Sequence, residues 1–412
     1  MQIKIKFFIG YLWLLSLSTI LTLWLFYMRW THVWHKNATK LRNISYLHPT
    51  SRCVPCNHIM FLKTHKTGGS TIANILFRYG DSRNLTFALG SVAQGGNHLG
   101  WPQRFRLSST LPVYRPLNIL CSHTVFNKKP MNWLFPREIS KYVTIIRNPV
   151  DNFESLFNYY QLGEDLGLGD DPVVSLENFL KRPSSFYSKV KRGIHARNPM
   201  MFDLGFSQKY FQNYTAVTEY INFLNKEFDL VMIMEYFDES LILLKRLLCW
   251  EIDDILNVKV NERLDKEKAS NLSDRVKENI KRWNKADVLL FTYFNATFWK
   301  KIEMEGSGFY EDLSAFRKRR LKLQQICFEN GSGAVQRIFG RKDVKGYSTR
   351  NDLNSSLKFL CNRWIKTENS YLYELGKKRQ EELESDLEKQ TRIDDSTSWD
   401  VSKDLQYVPV ET

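Results

Sequence analysis

The sequence predicts an α/β fold: a P-loop-like parallel sheet flanked by helices, placed after an N-terminal transmembrane helix. Three observations carry this. Short apolar, β-branched runs alternate with amphipathic helical stretches from His58 to Leu248, the pattern of βαβ units and a mainly parallel sheet. A Gly-Gly pair close behind a lysine stands at the first strand–helix junction, where backbone amides at a helix N-terminus can face an anion. Phe7 to Met28 carries no charge and, at about 1.5 Å per residue, spans roughly 30 Å of hydrocarbon. The 412 residues are 43% hydrophobic and 14% aromatic, which excludes a disordered chain, a collagen or a small disulfide knot.

In chain order, residues 1–6 read as a cytoplasmic tail and 7–28 as a signal anchor. Phe26, Tyr27, Met28 and Arg29 make a poor cleavage site, which argues against a removed signal peptide. Flanking charge does not orient the helix, because Lys4 and Lys6 on one side face Arg29, Lys36, Lys40 and Arg42 on the other. Eight glycosylation sequons break the tie: Asn37, Asn43, Asn84, Asn213, Asn271, Asn295, Asn330 and Asn354 all follow the anchor, so the body is expected in a lumen. There the formal charge of +15 points to an anionic small molecule or an acidic membrane surface and away from nucleic acid. Residues 29–57 are polar and aperiodic, a lumenal stem.

The body, 58–365, begins with a buried strand at His58–Lys63 and a helix from Ser70 to Arg78. Leu117–Cys121 and Tyr142–Ile146 are further strands. Pro149 suits the first position of a helix that continues from Val150 to Tyr160. Leu230–Met234 is a fourth strand, and Asp238 is placed to cap the helix Glu239–Leu248. Asn271–Lys301 and Glu311–Gln325 read as charged helices. Residues 366–412 are a charged helix, Glu374–Arg392, and a loose tail.

Two motifs carry chemistry. Lys63-Thr-His-Lys-Thr-Gly-Gly-Ser-Thr71 is a phosphate cradle: Gly68 and Gly69 permit a tight turn, Ser70 and Thr71 add donors, and Lys66 adds charge. It is not a Walker A loop, since no Gly-Lys-Ser/Thr follows the glycines, and this disfavours a nucleotide kinase. Arg147-Asn-Pro, with Ser155 eight residues beyond the arginine, offers a planar guanidinium fork and a hydroxyl at the end of another strand. Two anion sites at two strand ends suggest one ligand with two separate phosphates.

Together these motifs resemble the sulfotransferases, and more narrowly the galactose 3-O-sulfotransferases. Phe61-Leu-Lys-Thr-His-Lys-Thr67, Asn74-Ile-Leu-Phe-Arg78, Phe202-Asp-Leu-Gly205, Glu235-Tyr-Phe-Asp-Glu-Ser-Leu241, Leu247-Leu-Cys-Trp250 and Gly346-Tyr347 agree with that family. The resemblance covers residues 57–365 and implies the sulfotransferase fold. It implies the donor PAPS (3′-phosphoadenylyl sulfate), no metal, and a type II Golgi membrane protein. The implied acceptor is a galactose-terminated glycolipid, such as galactosylceramide, or a glycoprotein glycan. A homodimer is a further expectation. The chain departs from the family's usual Ala-Ser-Ser at Gly68-Gly69-Ser70, and from its basic residue in the stretch Ser122-His-Thr-Val-Phe126; the second departure bears on acceptor choice.

The reaction needs a base, a cation for the leaving phosphate and donors for the sulfuryl oxygens. Lys66 is the cation. Lys63, Lys66, Thr67, Gly68, Gly69, Ser70, Thr71, Arg147 and Ser155 form the donor site, with Lys63 on a sulfuryl oxygen. His65 and His123 are the candidate bases; the resemblance favours His65, with His123 assisting at the acceptor and Asp203 hydrogen-bonding galactose hydroxyls. Glu154 and Glu235 are runner-up bases. Trp101, Phe105 and Trp133 are candidates to stack on a sugar, although aromatics of this kind are more often core. Cys53 and Cys56 are expected in disulfides, since one Cys-x-x-Cys with His58 does not complete a zinc site; Cys121, in an apolar strand, is expected buried and free. A non-catalytic glycan-binding protein is the alternative of another class, and it has no use for two intact phosphate loops.

Overall fold

The computed structural model describes residues 53–397, apart from 91–95, 113–114, 191–192, 259–261, 264–271, 330–333 and 339–341. The expected anchor at 7–28, most of the stem, and sequons Asn37, Asn43, Asn271 and Asn330 lie outside the described residues. Among those described, no helix is long and apolar enough to cross a membrane. Pro55–Thr412 is a compact unit, distinct from Met1–Val54.

The sheet is parallel, and its strands carry the positions that the apolar runs predict. They are β1 (Ile59–Leu62), β2 (Ile119–Leu120), β3 (Lys141–Ile146) and β4 (Leu230–Ile233), in the order β2-β1-β3-β4. Every residue of β1 and β4 is buried, as expected for strands covered on both faces. Parallel strands require crossovers, and helices supply them. After β1 comes α1 (Gly69–Ser82), whose Ile72, Ile75, Leu76, Phe77 and Tyr79 are buried. After β3 comes α2 (Pro149–Tyr159), with Asn148 capping through the Val150 amide at 3.0 Å and proline at its first position. After β4 comes α4 (Phe237–Leu248), and between α2 and β4 lies the short α3 (Pro199–Asp203).

Asp238 does not cap α4. It lies inside the first turn of that helix, and the guanidiniums of Arg317 and Arg320 hold it. The reason is tertiary: these arginines stand on α7 (Gly308–Cys327), which packs beside α4, and they draw the carboxyl below its usual range against the opposing effect of burial. The charged C-terminal third forms α5 (Asp274–Trp283), α6 (Lys285–Met304), α7, α8 (Ser355–Ile365) and α9 (Glu368–Thr397). Packing continues past residue 365, because Tyr371 and Leu372 of α9 belong to the main core. A small antiparallel sheet of β5 (Glu262–Arg263), β6 (Ala334–Ile338) and β7 (Lys342–Gly346) is ordered β5-β7-β6.

One cysteine, Cys56, departs from the sequence reading. Cys327 and Cys361 are bonded, tying α7 to α8 across 34 residues, and Cys53 and Cys249 are disulfide-bonded as well. Cys56 is a free thiol, because it faces the carbonyls of His58 and Ile139 at 3.4 and 3.9 Å. Cys121 is buried and free as expected. Of the described sequons, Asn84, Asn213 and Asn354 are exposed and Asn295 is half-buried within α6. Asn213 and Asn354 cap helices through Oδ1, which leaves the nitrogen that a glycan would use.

Replacing both Cys327 and Cys361 by serine is expected to cost about 4 kcal/mol, since the chain-entropy account scales with the closed loop. Guanidinium denaturation of the double variant checks this; an unchanged midpoint would show that the surrounding packing of Val258 and Phe328 suffices alone.

Candidate active site

The carboxyl ends of the four strands define one rim, where ligands of parallel sheets bind. Lys63 follows β1, His123 follows β2, Arg147 follows β3 and Glu235 follows β4. Lys63 and His123 extend the β1–β2 ladder by one parallel bridge, and His98 is bridged in turn to His123. The parallel register therefore sets three chemistry-bearing residues side by side.

The loop 63–71 is built on its glycines. Gly68 has φ +83°, and a Cβ there would stand 2.5 Å from Met234 Sδ. A Cβ on Gly69 would stand 2.8 Å from Lys63 Cγ. Thr64 and Thr67 share a hydroxyl contact of 2.8 Å, and Thr67 Oγ also donates to the Thr64 carbonyl. Arg147 Nη1 donates to the Lys66 carbonyl at 3.1 Å, so the structure joins the two predicted anion motifs. Lys66 itself has φ +58°, and its ammonium lies 3.8 Å from the Tyr159 ring centroid on α2. Ser155 is on the same helix and 1% exposed.

His65 is 4% exposed. Its Nδ1 and its backbone N–H both donate to Asp203 Oδ2 at 2.8 Å. A carboxylate oxygen only accepts here, so Nδ1 carries a proton, and in the neutral ring Nε2 is the acceptor. Nε2 is buried with no hydrogen-bond partner among the described residues. Asp203, expected at the acceptor's hydroxyls, is instead 1% exposed, with Oδ1 accepting from Trp101 Nε1 at 3.0 Å. Asn152 Nδ2 donates to the His65 carbonyl at 2.8 Å, which fixes the loop to α2.

The rings around His65 form a continuous cluster. His123 stacks on it at 4.0 Å, Trp101 lies at 4.8 Å and His195 at 4.8 Å. His195 is sandwiched between Tyr160 at 4.0 Å and Trp101 at 4.9 Å. His123 Nδ1 donates to the Lys63 carbonyl at 3.1 Å. Burial, then the neighbouring His65 and Lys63, push its pKa well down, so it stays neutral. Burial likewise lowers His98 to about 4.

Sequence reasoning missed His98, His195, Tyr159, Tyr160 and Asn152. Four of the eight histidines meet here from four segments of chain, and no local spacing announces that. It also missed the clamp behind Asp203. Asp287 of α6 accepts from the amides of Met200 and Met201 at 3.2 and 2.8 Å, and Asn284 accepts from that of Asn198 at 2.7 Å. Burial pushes the Asp287 carboxyl up to about 7. The runner-up bases have other partners: Glu154 accepts from Asn158 at 2.7 Å, and Glu235 from the Asn148 amide at 2.9 Å. Burial raises the Glu235 carboxyl. Of the three aromatics expected at a sugar, Phe105 is fully buried and Trp133 packs against the main core, because apolar packing claims both; Trp101 reaches the site. No cluster of His, Cys, Asp and Glu able to hold a metal occurs among the described residues.

A parallel α/β sheet, a glycine–lysine loop with an arginine at its rim and a buried His–Asp pair thus meet at one end of the sheet. The galactose-3-O-sulfotransferase family profile matches residues 2–379. The chain is 35% identical to human (Homo sapiens) galactosylceramide sulfotransferase over 79% of each chain. It is 34% identical to galactose-3-O-sulfotransferase 2 of Sus scrofa, over 77% of this chain and 83% of the relative. To galactose-3-O-sulfotransferase 3 of Mus musculus it is 36% identical, over 66% and 63% respectively. The chain belongs to the galactose-3-O-sulfotransferase family and is a sulfotransferase.

Gly68→Ala is expected to destabilise the fold by about 1–2 kcal/mol from the left-handed backbone alone, with further loss from the contact with Met234. Thermal unfolding measures this, and an unchanged melting temperature would mean that the loop re-forms with a different turn.

Proposed function

We propose that the protein transfers sulfate from PAPS to the 3-hydroxyl of a galactose residue, with galactosylceramide or a related glycolipid as the acceptor. The observation that carries this reading is His65: its Nδ1 is committed to Asp203, and its Nε2 is buried beside the lysine–arginine loop with no hydrogen-bond partner among the described residues. In this reading PAPS supplies the sulfuryl group. Lys66, Arg147, Ser70, Thr71, Ser155 and the amides after Gly68 hold its phosphates. The acceptor's 3-hydroxyl oxygen forms a bond to sulfur as the bond from sulfur to the bridging phosphate oxygen breaks. The electron pair leaves on that phosphate, whose growing charge Lys66 neutralises, and the hydroxyl proton passes to His65 Nε2.

Asp203 is assigned the orienting of His65, since both of its oxygens are engaged. His123, held neutral, packs against the His65 ring and is assigned to the acceptor side, with Trp101 as an apolar face for the sugar. The uncharged run at 7–28 and the sequons after it support a single-pass Golgi membrane protein with a lumenal catalytic domain. The likeness to galactosylceramide sulfotransferase supports the glycolipid acceptor, and a direct assay separates it from a glycan on protein.

Incubation of the protein with radiolabelled PAPS and a panel of galactosylceramide, lactosylceramide and galactose-terminated oligosaccharides is expected to label a glycolipid. Label on the oligosaccharides alone would reassign the acceptor. If no acceptor is labelled and the desulfated donor PAP does not raise the melting temperature, the non-catalytic reading replaces this one.

His65→Ala is expected to bind PAPS normally and lose at least 100-fold in turnover, within the range for a general base. Lys66→Ala and Arg147→Ala are expected to lose PAPS affinity instead. Normal turnover in His65→Ala would remove it as the base.

A further inference from the structure

Lys63 leaves the end of β1 and runs along the start of α1, close enough that a Cβ on Gly69 would meet its Cγ at 2.8 Å. Its ammonium ends on Oε2 of Glu368, 305 residues further along the chain. The pair is secluded: the side chains are 3% and 12% exposed. The second carboxylate oxygen, Oε1, is buried with no hydrogen-bond partner among the described residues. Two charges removed from water depend on one contact.

The segment that brings Glu368 here is tied to α1. Asn74 Nδ2 donates to the carbonyls of Arg363 and Lys366 at 3.3 and 3.1 Å. The Arg78 guanidinium lies 3.6 Å over the Trp364 ring. Tyr371 stacks on Phe77 at 5.2 Å, and its hydroxyl donates to the Arg363 carbonyl at 3.0 Å. Thr367 caps the start of α9 by accepting from the Ser370 amide at 3.2 Å. These contacts make residues 361–372 one packed block with the helix whose N-terminus forms the glycine–lysine loop.

We propose that Glu368 is a positioning residue of the donor site: it fixes the Lys63 ammonium at the start of α1, so that the C-terminal segment completes the site for the sulfuryl end of the donor. This rests on the PAPS reading above and deepens it. Without the carboxylate a buried ammonium is uncompensated. It either gives up its proton or swings out to water, and both remove a fixed positive charge from the loop.

The test is equilibrium binding of radiolabelled PAPS and of PAP to the full chain, which needs no acceptor. Glu368→Gln, close in size, is expected to weaken PAPS at least tenfold while PAP stays within twofold, because PAP lacks the sulfuryl group. Glu368→Asp keeps the charge and is expected to recover part of the loss. Lys63→Met with Glu368→Gln removes both charges and is expected to fold at least as well as Glu368→Gln alone, yet to bind PAPS no better than Lys63→Met. Wild-type PAPS affinity in Glu368→Gln, equal weakening of PAPS and PAP, or wild-type binding by the double variant would each overturn the proposal and reduce the pair to a structural one. If the wild type binds neither nucleotide, the donor reading itself falls, and the proposal with it.

Discussion

The site hangs on one buried carboxylate. Asp203 is almost wholly removed from water and accepts three N–H bonds, from the backbone and ring of His65 and from the indole of Trp101. A lone carboxylate in such a place is costly, and three donors are what make it tolerable. The same bonds orient His65, seat Trp101 against the histidine rings and tie the loop after β1 to the end of α3. Asp203 is itself held in place, because Asp287 and Asn284 take up the amide groups that open α3. A dense polar lattice of this kind is stable only when its members are satisfied. His65 Nε2 is one of its buried atoms with no hydrogen-bond partner among the described residues, as is Asn152 Oδ1, and it is the atom that the proposed chemistry would use.

The parts of this arrangement that were legible in the sequence are the local ones. The strands announced themselves by apolar runs, and their bounds differ from the expected ones by a residue or two. The loop 63–71 and Arg147 were legible because glycine, lysine and proline act on the backbone beside them. Asp203, His123 and Trp101 were also marked, although Asp203 turns toward His65 rather than outward. His98, His195, Asp287 and Glu368 were not, since each enters from a distant segment and nothing in its neighbours distinguishes it from an ordinary surface residue. Asp238 shows the same limit from the other side: local spacing favours a cap, and two arginines from α7 outbid it. Cys56 does too, as its place in the stem favours a disulfide while the folded chain turns its thiol to two carbonyls.

Charge explains why the loop contains two lysines with different fates. Lys63 is sealed against a carboxylate and almost fully buried, whereas Lys66 is half-buried over the Tyr159 ring. A cation–π contact contributes about 0.5–2 kcal/mol depending on exposure. A buried ion pair is a strong geometric constraint even where its net contribution to stability is small. The two lysines are three residues apart, and the left-handed backbone at Lys66 sends the second one toward α2 while the first follows α1. A loop that had to bind a multiply charged nucleotide with lysines alone would repel itself when empty. Pairing one lysine internally and resting the other on an aromatic face relieves that repulsion without moving either away from the rim. On this view the net positive balance of the chain is the coarse trace of an anion site, and the assignment of each lysine's partner is where the fold converts that balance into a position.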